Sequence, residues 1–129
     1  MIELNKENIK NIPDKRGVYN IYAKSAINKS ISIQRFCDID KTGLLYIGQT
    51  NKQTLKKRIY QFYASAHPDM KTHNHSGAQK YFLNNKIREK LSKHSLWFEF
   101  EKTEQPTIKE KQLLFEYAKK FGEYPPLNK

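Results

Sequence analysis

The chain has 129 residues, which is enough for one domain with a single core. Its 24 Lys and Arg outnumber its 13 Asp and Glu, and the net charge of +11 favours a polyanionic partner such as a nucleic acid. A single cysteine, Cys37, excludes an internal disulfide framework, and no apolar run reaches the roughly 18 residues that cross a membrane. We therefore expect a soluble, unprocessed cytoplasmic protein with one domain over residues 1–129.

The N-terminal part of the sequence predicts a short helix and two strands separated by an insertion. Residues 5–11 favour the helix, because the residue before a proline avoids helical torsions and Pro13 follows. Residues 18–22 alternate and are rich in β-forming types, and residues 44–47 form a compact apolar run. Residues 23–43 alternate only weakly, which indicates an inserted ribbon or an ordered long loop.

The C-terminal part predicts helices around a third strand. Residues 53–66 carry apolar side chains at helical spacing, and residues 96–100 have the composition of a strand. A last helix over residues 108–121 ends at Gly122. With a further helix that begins near Ser76, this element order is that of a small α/β or α+β domain.

Positive charge is concentrated in the middle of the chain. Residues 1–45 carry a net charge of +3, residues 46–95 carry +8 and residues 96–129 carry zero. Such a run is often only a solvated surface. Because tyrosines are interleaved with these charges, we interpret the segment as one that binds phosphates and stacks on bases. Its candidate nucleic-acid contacts are Lys52, Lys56, Lys57, Tyr63 and Lys80.

One carboxylate lies on an apolar helix face. Glu110 precedes Leu113 and Leu114 by three and four residues, so it shares the face by which the last helix packs. A carboxylate on that face needs a partner. The spacing from Thr107 favours a capping box, in which Glu110 would bond to the amide at the start of the helix. Glu116 is predicted to face water.

Three other side chains have both a structural and a functional interpretation. Arg58 lies at the margin of its helix stripe, where it can offer a planar fork to a phosphate, although taken alone a surface ion pair is favoured. Tyr19 and Tyr46 each lie in a predicted strand, where tyrosines are more often core residues than catalysts.

The histidines are concentrated before the middle helix. His67, His73 and His75 suggest a zinc site, but one distant cysteine and the absence of a partner pair at zinc-finger spacing argue against it. Ser76, which follows them, has capping-box spacing to Gln79.

Five sequence elements, in order along the chain, resemble those of the GIY-YIG nuclease family. They are Gly17-Val18-Tyr19, Tyr46-Ile47-Gly48, Arg58 in the following helix, Glu110-Lys111-Gln112-Leu113-Leu114 and Pro125-Pro126-Leu127-Asn128. The resemblance covers nearly the whole chain, and each element lies in the appropriate kind of predicted structure. It implies a three-stranded antiparallel sheet flanked by helices, with residues 23–43 inserted between the first two strands.

The resemblance also assigns roles to individual residues. Tyr19 and Tyr46 would lie side by side at the active site, and Arg58 would hold the scissile phosphate. Glu110 would ligate one divalent cation, Mg²⁺ or Mn²⁺, and Asn128 would position the site from the C-terminal segment. His75 resembles the histidine found just before the second helix in homing-endonuclease members of the family.

The implied activity is Mg²⁺-dependent hydrolysis of phosphodiester bonds in DNA, leaving 5′-phosphate and 3′-hydroxyl ends. Many relatives have a lysine where this chain has Gln49 and His or Tyr where it has Phe62, so any role of that lysine would pass to Lys52 or Lys56 or be absent. The small size resembles a stand-alone phage or restriction-type nuclease, which could act as a homodimer or larger oligomer. The alternative is a non-catalytic basic module that keeps the fold and binds DNA or RNA.

Overall fold

The computed structural model describes residues 1–25, 27–66, 75–83 and 95–128. These residues form an α+β domain built on an antiparallel sheet. In chain order, the elements are β1 (Ile2–Glu3), α1 (Lys6–Ile9), β2 (Gly17–Lys24), β3 (Ile33–Gln34), β4 (Ile39–Asp40), β5 (Leu44–Thr50), α2 (Leu55–Ala66), α3 (Ser76–Leu83), β6 (Ser95–Lys102) and α4 (Pro106–Phe121). None of the helices in this part of the chain is long and apolar enough to cross a membrane.

The sheet has the strand order β1-β6-β2-β5, and all neighbouring strands are antiparallel. The three predicted strands form its β6-β2-β5 portion. The expectation of three strands is wrong by one, because the short β1 pairs Ile2 with Phe98 at the outer side of β6. In the centre, Tyr19 of β2 lies opposite Gly48 of β5, a register that fixes the two tyrosine motifs against each other.

The two faces of the sheet are covered by different helices. Successive strand residues point to opposite faces. Tyr19 and Ile21 pack with the buried side of α2, including Ile59 and Phe62, whereas Tyr22 packs with Tyr117 of α4. Burial of these apolar side chains stabilises the sheet between its helices, and both layers meet at the strands that carry Gly17-Val18-Tyr19 and Tyr46-Ile47-Gly48.

The insertion forms the β3–β4 ribbon and packs against the C-terminal end of α4. Asp40, 1% exposed, accepts a hydrogen bond of 2.7 Å from the Tyr117 hydroxyl. The Cys37 amide donates to the Phe121 carbonyl at 2.9 Å, and Arg35 forms an ion pair of 2.6 Å with Glu123. The ribbon is therefore joined to α4 through a buried polar contact and the last turn of the helix.

Two predicted helix caps are wrong. Ser76 is the first residue of α3, and His75 occupies the capping position before it. α4 begins at Pro106, so Thr107 lies inside the helix and cannot form a capping box with Glu110. Proline is favoured at the first helical position because its fixed φ suits the helix and it lacks an amide hydrogen.

The other helix ends are closer to prediction. Gly122 ends α4 in the left-handed conformation, with φ of 79° and its amide bonded to the Ala118 carbonyl at 2.8 Å. α1 covers only Lys6–Ile9, because the following residues form turns before Pro13. Its N-cap, Asn5, accepts a hydrogen bond of 2.9 Å from the Asn8 amide.

Candidate active site

Two tyrosines from neighbouring strands form the centre of the candidate site. The rings of Tyr19 on β2 and Tyr46 on β5 are tilted by 44°, with centroids 6.1 Å apart. Tyr19 is 1% exposed, whereas Tyr46 is only half-buried. Burial raises the pKa of both hydroxyls, that of Tyr19 well above the usual 10.0, so both are neutral near pH 7.

Two glycines make room for this pair. A Cβ atom on Gly48 would lie 2.6 Å from the Tyr19 hydroxyl oxygen and 2.7 Å from Cε2 of Tyr46. A Cβ atom on Gly77, the second residue of α3, would lie 2.7 Å from Cε1 of Tyr46. The Tyr46 ring is therefore in close contact with the backbone of both β5 and α3. Gly48 belongs to the recognised motif, but no sequence signal indicated the role of Gly77.

His75 links α3 to Tyr19 and is fully buried. Its Nδ1 accepts a hydrogen bond of 3.3 Å from the Ala78 amide, which caps the helix, and its Nε2 lies 2.6 Å from the Tyr19 hydroxyl oxygen. Because Nδ1 is an acceptor, the neutral ring carries its proton on Nε2. The Nε2–H group therefore donates a hydrogen bond to the Tyr19 hydroxyl oxygen. Burial, assisted by the charge of Arg58, lowers the pKa of His75 to about 3.

Phe62 completes the aromatic surroundings of His75. Its side chain is fully buried, as predicted, and meets the His75 ring edge-on with centroids 4.9 Å apart. Phe62 also lies beside Tyr46, with ring centroids 6.0 Å apart. Phe62 therefore gives His75 an apolar contact surface.

Arg58 of α2 and Glu110 of α4 supply opposite charges to the tyrosine pair. Arg58 is half-buried and donates a hydrogen bond of 2.8 Å to Oε1 of Gln61. Its positive charge acts to lower the pKa of Tyr19 and Tyr46, whereas the negative charge of Glu110 acts to raise both. Electrostatically, the site thus joins residues from four separate elements.

Glu110 has the properties of a ligand for a hard cation. It is half-buried on the packed side of α4, and burial raises the pKa of its carboxyl. Across the ranges that the structure describes, no group of three or more His, Cys, Asp and Glu side chains could hold a metal ion. A single carboxylate suits Mg²⁺, which keeps several waters and also binds substrate phosphates.

His75, the described histidine among the three that suggested a zinc site, does not support that interpretation. His67 and His73 lie outside the described residues. Both ring nitrogens of His75 are already engaged, with Ala78 and Tyr19. A zinc ion would have to displace one of these two contacts.

Asn128 binds the strand that carries Tyr46. Its Oδ1 accepts a hydrogen bond from the Ile47 amide, and its Nδ2 donates to the Ile47 carbonyl, both at 2.9 Å. The Leu127 amide also donates to the Leu45 carbonyl at 2.8 Å. The C-terminal segment therefore pairs with the outer side of β5, and the contacts of Asn128 are those of a positioning residue.

Two of the predicted nucleic-acid contacts, Lys52 and Lys56, line different pockets. Lys52 lines a pocket of about 280 Å³ together with Gln49 and Arg58. Lys56 instead lies towards α1, with its ammonium 3.9 Å from Asp14. Of the two lysines expected to replace the one missing at Gln49, only Lys52 lines this pocket.

The remaining predicted contacts differ in exposure. Lys57 and Lys80 are exposed on α2 and α3. Tyr63 is half-buried against the core, and the neighbouring Tyr60 is the ring that is 41% exposed. Tyr60 is therefore the more accessible of these two rings, and the assignment of Tyr63 as a nucleic-acid contact stays a prediction.

The site combines two neutral hydroxyls from the antiparallel sheet with a guanidinium from α2 and a half-buried carboxylate from α4. These groups can together bind a phosphate and a hard cation. Comparison of the chain with protein-family models, with curated protein sequences and with solved structures finds no match in any of the three.

Proposed function

We propose that this protein is a Mg²⁺-dependent endonuclease of the GIY-YIG type, which hydrolyses phosphodiester bonds in DNA and leaves 5′-phosphate and 3′-hydroxyl ends. The observation that carries the proposal is the pairing of Tyr19 and Tyr46 on β2 and β5, with ring centroids 6.1 Å apart. The charges of Arg58 on α2 and Glu110 on α4 both act on this pair. The net charge of +11 supports a polyanionic substrate.

Arg58 binds the scissile phosphate in this proposal. Its planar guanidinium can donate two parallel hydrogen bonds to phosphate oxygens. The charge that develops on the phosphate in the transition state is stabilised by a donor already held in place. The half-buried position of Arg58 strengthens this interaction, because it is less screened than one in open water.

Tyr46 and Tyr19 have different roles in the proposed reaction. Tyr46 is half-buried whereas Tyr19 is fully buried, so we assign the attacking water to the Tyr46 hydroxyl oxygen. Once it has released its own proton to bulk solvent, this oxygen accepts a proton from the attacking water, and the charge of Arg58 favours that release against the effect of burial. Tyr19 is buried and accepts a hydrogen bond from His75, which makes it a positioning residue.

Glu110 is the residue that would hold Mg²⁺. When bound, the ion would polarise the phosphate and stabilise the leaving oxygen. Burial raises the pKa of the Glu110 carboxyl and so favours its neutral form. A cation bound nearby would oppose this effect and favour the ionised form. Glu110 would thereby hold a negative charge at the half-buried start of α4.

A second candidate function is a nucleic-acid-binding module without activity. It is favoured by the raised pKa of both tyrosines, since a neutral phenol is a poor base, and by the amide of Gln49 where many relatives have a lysine. Such a module would retain the basic surface and lose only the chemistry.

Cleavage of supercoiled and linear DNA in Mg²⁺ and in EDTA tests the proposal. We expect nicking or linearisation that requires Mg²⁺ and is abolished by Glu110→Ala, with DNA binding largely retained. Glu116→Ala is the matched control, because Glu116 is exposed on the same helix. A folded Glu110→Ala protein that cleaves at the parental rate would contradict the role of Glu110. A parental protein that binds DNA without cleaving it would favour the binding module.

A further inference from the structure

A groove lies between α1 and the N-terminal half of α2. It has a volume of about 550 Å³, within the range of pockets that bind small molecules. The buried Ile9 and the ring of Tyr60 form part of its lining, and Tyr60 is 41% exposed. An aromatic ring that is accessible inside a pocket of this size offers a flat surface to a second ring.

The groove is strongly basic. Its lining residues with a charge are Lys6, Lys10, Lys56, Lys57 and Asp14. The Lys56–Asp14 pair is long, at 3.9 Å, and the pair of Lys10 with Glu7 is exposed on both sides, so neither adds much stability. With four lysines and one aspartate, the lining keeps an excess of positive charge. Four lysines therefore surround one aromatic ring: Lys6 of α1, Lys10 directly after it, and Lys56 and Lys57 of α2.

The ring of Tyr60 is held in place by its own helix. Tyr60 and Tyr63 are tilted by 38°, with ring centroids 6.3 Å apart. Tyr63 is half-buried against the core, so its ring supports the side of Tyr60 that faces the protein interior. Stacking on a ring that is already oriented costs less conformational entropy than stacking on a mobile one.

The groove is separate from the candidate active site. Lys56 and Tyr60 lie two residues on either side of Arg58, so they project roughly 200° away from it around the axis of α2. The body of the helix thus separates a ligand in the groove from a phosphate on Arg58. One strand of nucleic acid could contact both sides of α2 only through different nucleotides.

We propose that the α1–α2 groove binds an unpaired nucleotide of single-stranded DNA, with its base stacked on Tyr60 and the adjacent phosphates on the four lysines. A base inside a duplex is covered on both faces by its neighbours, whereas an unpaired base presents a face to an aromatic ring. The inference deepens the proposed function, on which the identity of the strand as DNA rests. It implies a substrate with a single-stranded segment beside the cleaved bond.

Binding of a labelled oligo-dT strand and of a duplex of equal length, measured by fluorescence anisotropy in EDTA, tests this inference without any cleavage. We expect Tyr60→Ala to weaken single-strand binding about 5- to 150-fold and duplex binding less than about twofold. Tyr60→Phe keeps the ring and should bind like the parent. Equal losses for both DNA forms, or no loss for either, would overturn the proposal.

Two further measurements separate the base from the phosphates. An oligonucleotide with abasic sites should bind the parent as weakly as oligo-dT binds Tyr60→Ala, and the two changes together should cost no more than either alone. Lys6→Gln with Lys10→Gln should lower the salt slope by about 0.7 per lost phosphate contact. The control pair Lys119→Gln and Lys120→Gln, exposed on α4 and outside the groove lining, should leave the slope unchanged. Additive losses, or equal slopes for both pairs, would contradict the groove.

The assay distinguishes failure of this inference from failure of the proposed function. A protein that shows the Tyr60-dependent preference in EDTA but never cleaves in Mg²⁺ would support the groove and contradict the nuclease. A protein that cleaves in Mg²⁺ but in which Tyr60→Ala weakens binding of both DNA forms equally, or of neither, would support the nuclease and contradict the groove.

Discussion

Protonation of His75 should make the stability of this protein fall steeply in mild acid. The ring is fully buried, and its pKa is lowered to about 3 from the usual 6.5. Below pH 6.5 the unfolded chain takes up a proton that the folded chain does not, so the free energy of unfolding decreases as the pH falls. The loss amounts to about 1.4 kcal/mol per pH unit. It reaches about 2 kcal/mol near pH 5, and it continues until the folded state titrates near pH 3.

The variant His75→Asn isolates this contribution. Asparagine can still cap α3 through the Ala78 amide, because it is among the best N-cap residues, but it does not titrate. Urea unfolding followed by circular dichroism at about pH 7.5, 6.5 and 5 gives both stabilities. We expect the difference between parent and variant to shrink by about 2 kcal/mol over this range. A parent and variant with the same pH dependence would refute the buried neutral state of His75, as would an imidazole pKa near 6.5 measured by NMR.

Three other substitutions test the geometry of the candidate site. Arg58→Lys keeps the charge but removes the planar fork, so single-turnover cleavage should fall about 100-fold or more while DNA affinity barely changes; a parental rate would make Arg58 an ordinary phosphate contact. Tyr46→Phe should reduce cleavage more than Tyr19→Phe, because Tyr46 is half-buried whereas Tyr19 is fully buried, and the reverse order would assign the water to Tyr19. Gly77→Ala should destabilise the protein by about 1–3 kcal/mol in thermal unfolding, because the added carbon meets the Tyr46 ring, although alanine in a helix is otherwise the better residue. A stabilised Gly77→Ala protein would show that α3 can move away from Tyr46.

The main strands and helices could be predicted from the sequence because each has a repeating pattern of buried residues. β2 and β5 are apolar or alternating, and α2 and α4 have helical stripes, so their existence followed from periodicity. β1 has two residues and no pattern, and only its pairing with β6 defines it. The fold class could therefore be predicted from local sequence patterns, whereas the number of strands could not.

The details of the site depended on tertiary contacts that no local pattern contains. The spacing from Thr107 to Glu110 fits a capping box, but Pro106 takes the first helical position and moves the start of α4. His75 looked like a catalytic or zinc histidine, and its bonds to Ala78 and Tyr19 came from the packing of α3 on the sheet. The position of Tyr60 beside α1 likewise required the relative placement of two helices.

The contact between Asp40 and Tyr117 has a consequence for a residue that it does not touch. Glu110 lies seven residues before Tyr117 on the same helix, a separation of about 10 Å along the axis. If α4 pivoted at Tyr117 by about 5°, the Glu110 end would move by about 1 Å, more than the roughly 0.5 Å tolerance of a working catalytic site. The buried hydrogen bond and the ion pair of Arg35 with Glu123 resist such a pivot. The inserted ribbon contributes no candidate catalytic group. By resisting a pivot of α4, it nevertheless helps to hold the Glu110 carboxylate in position.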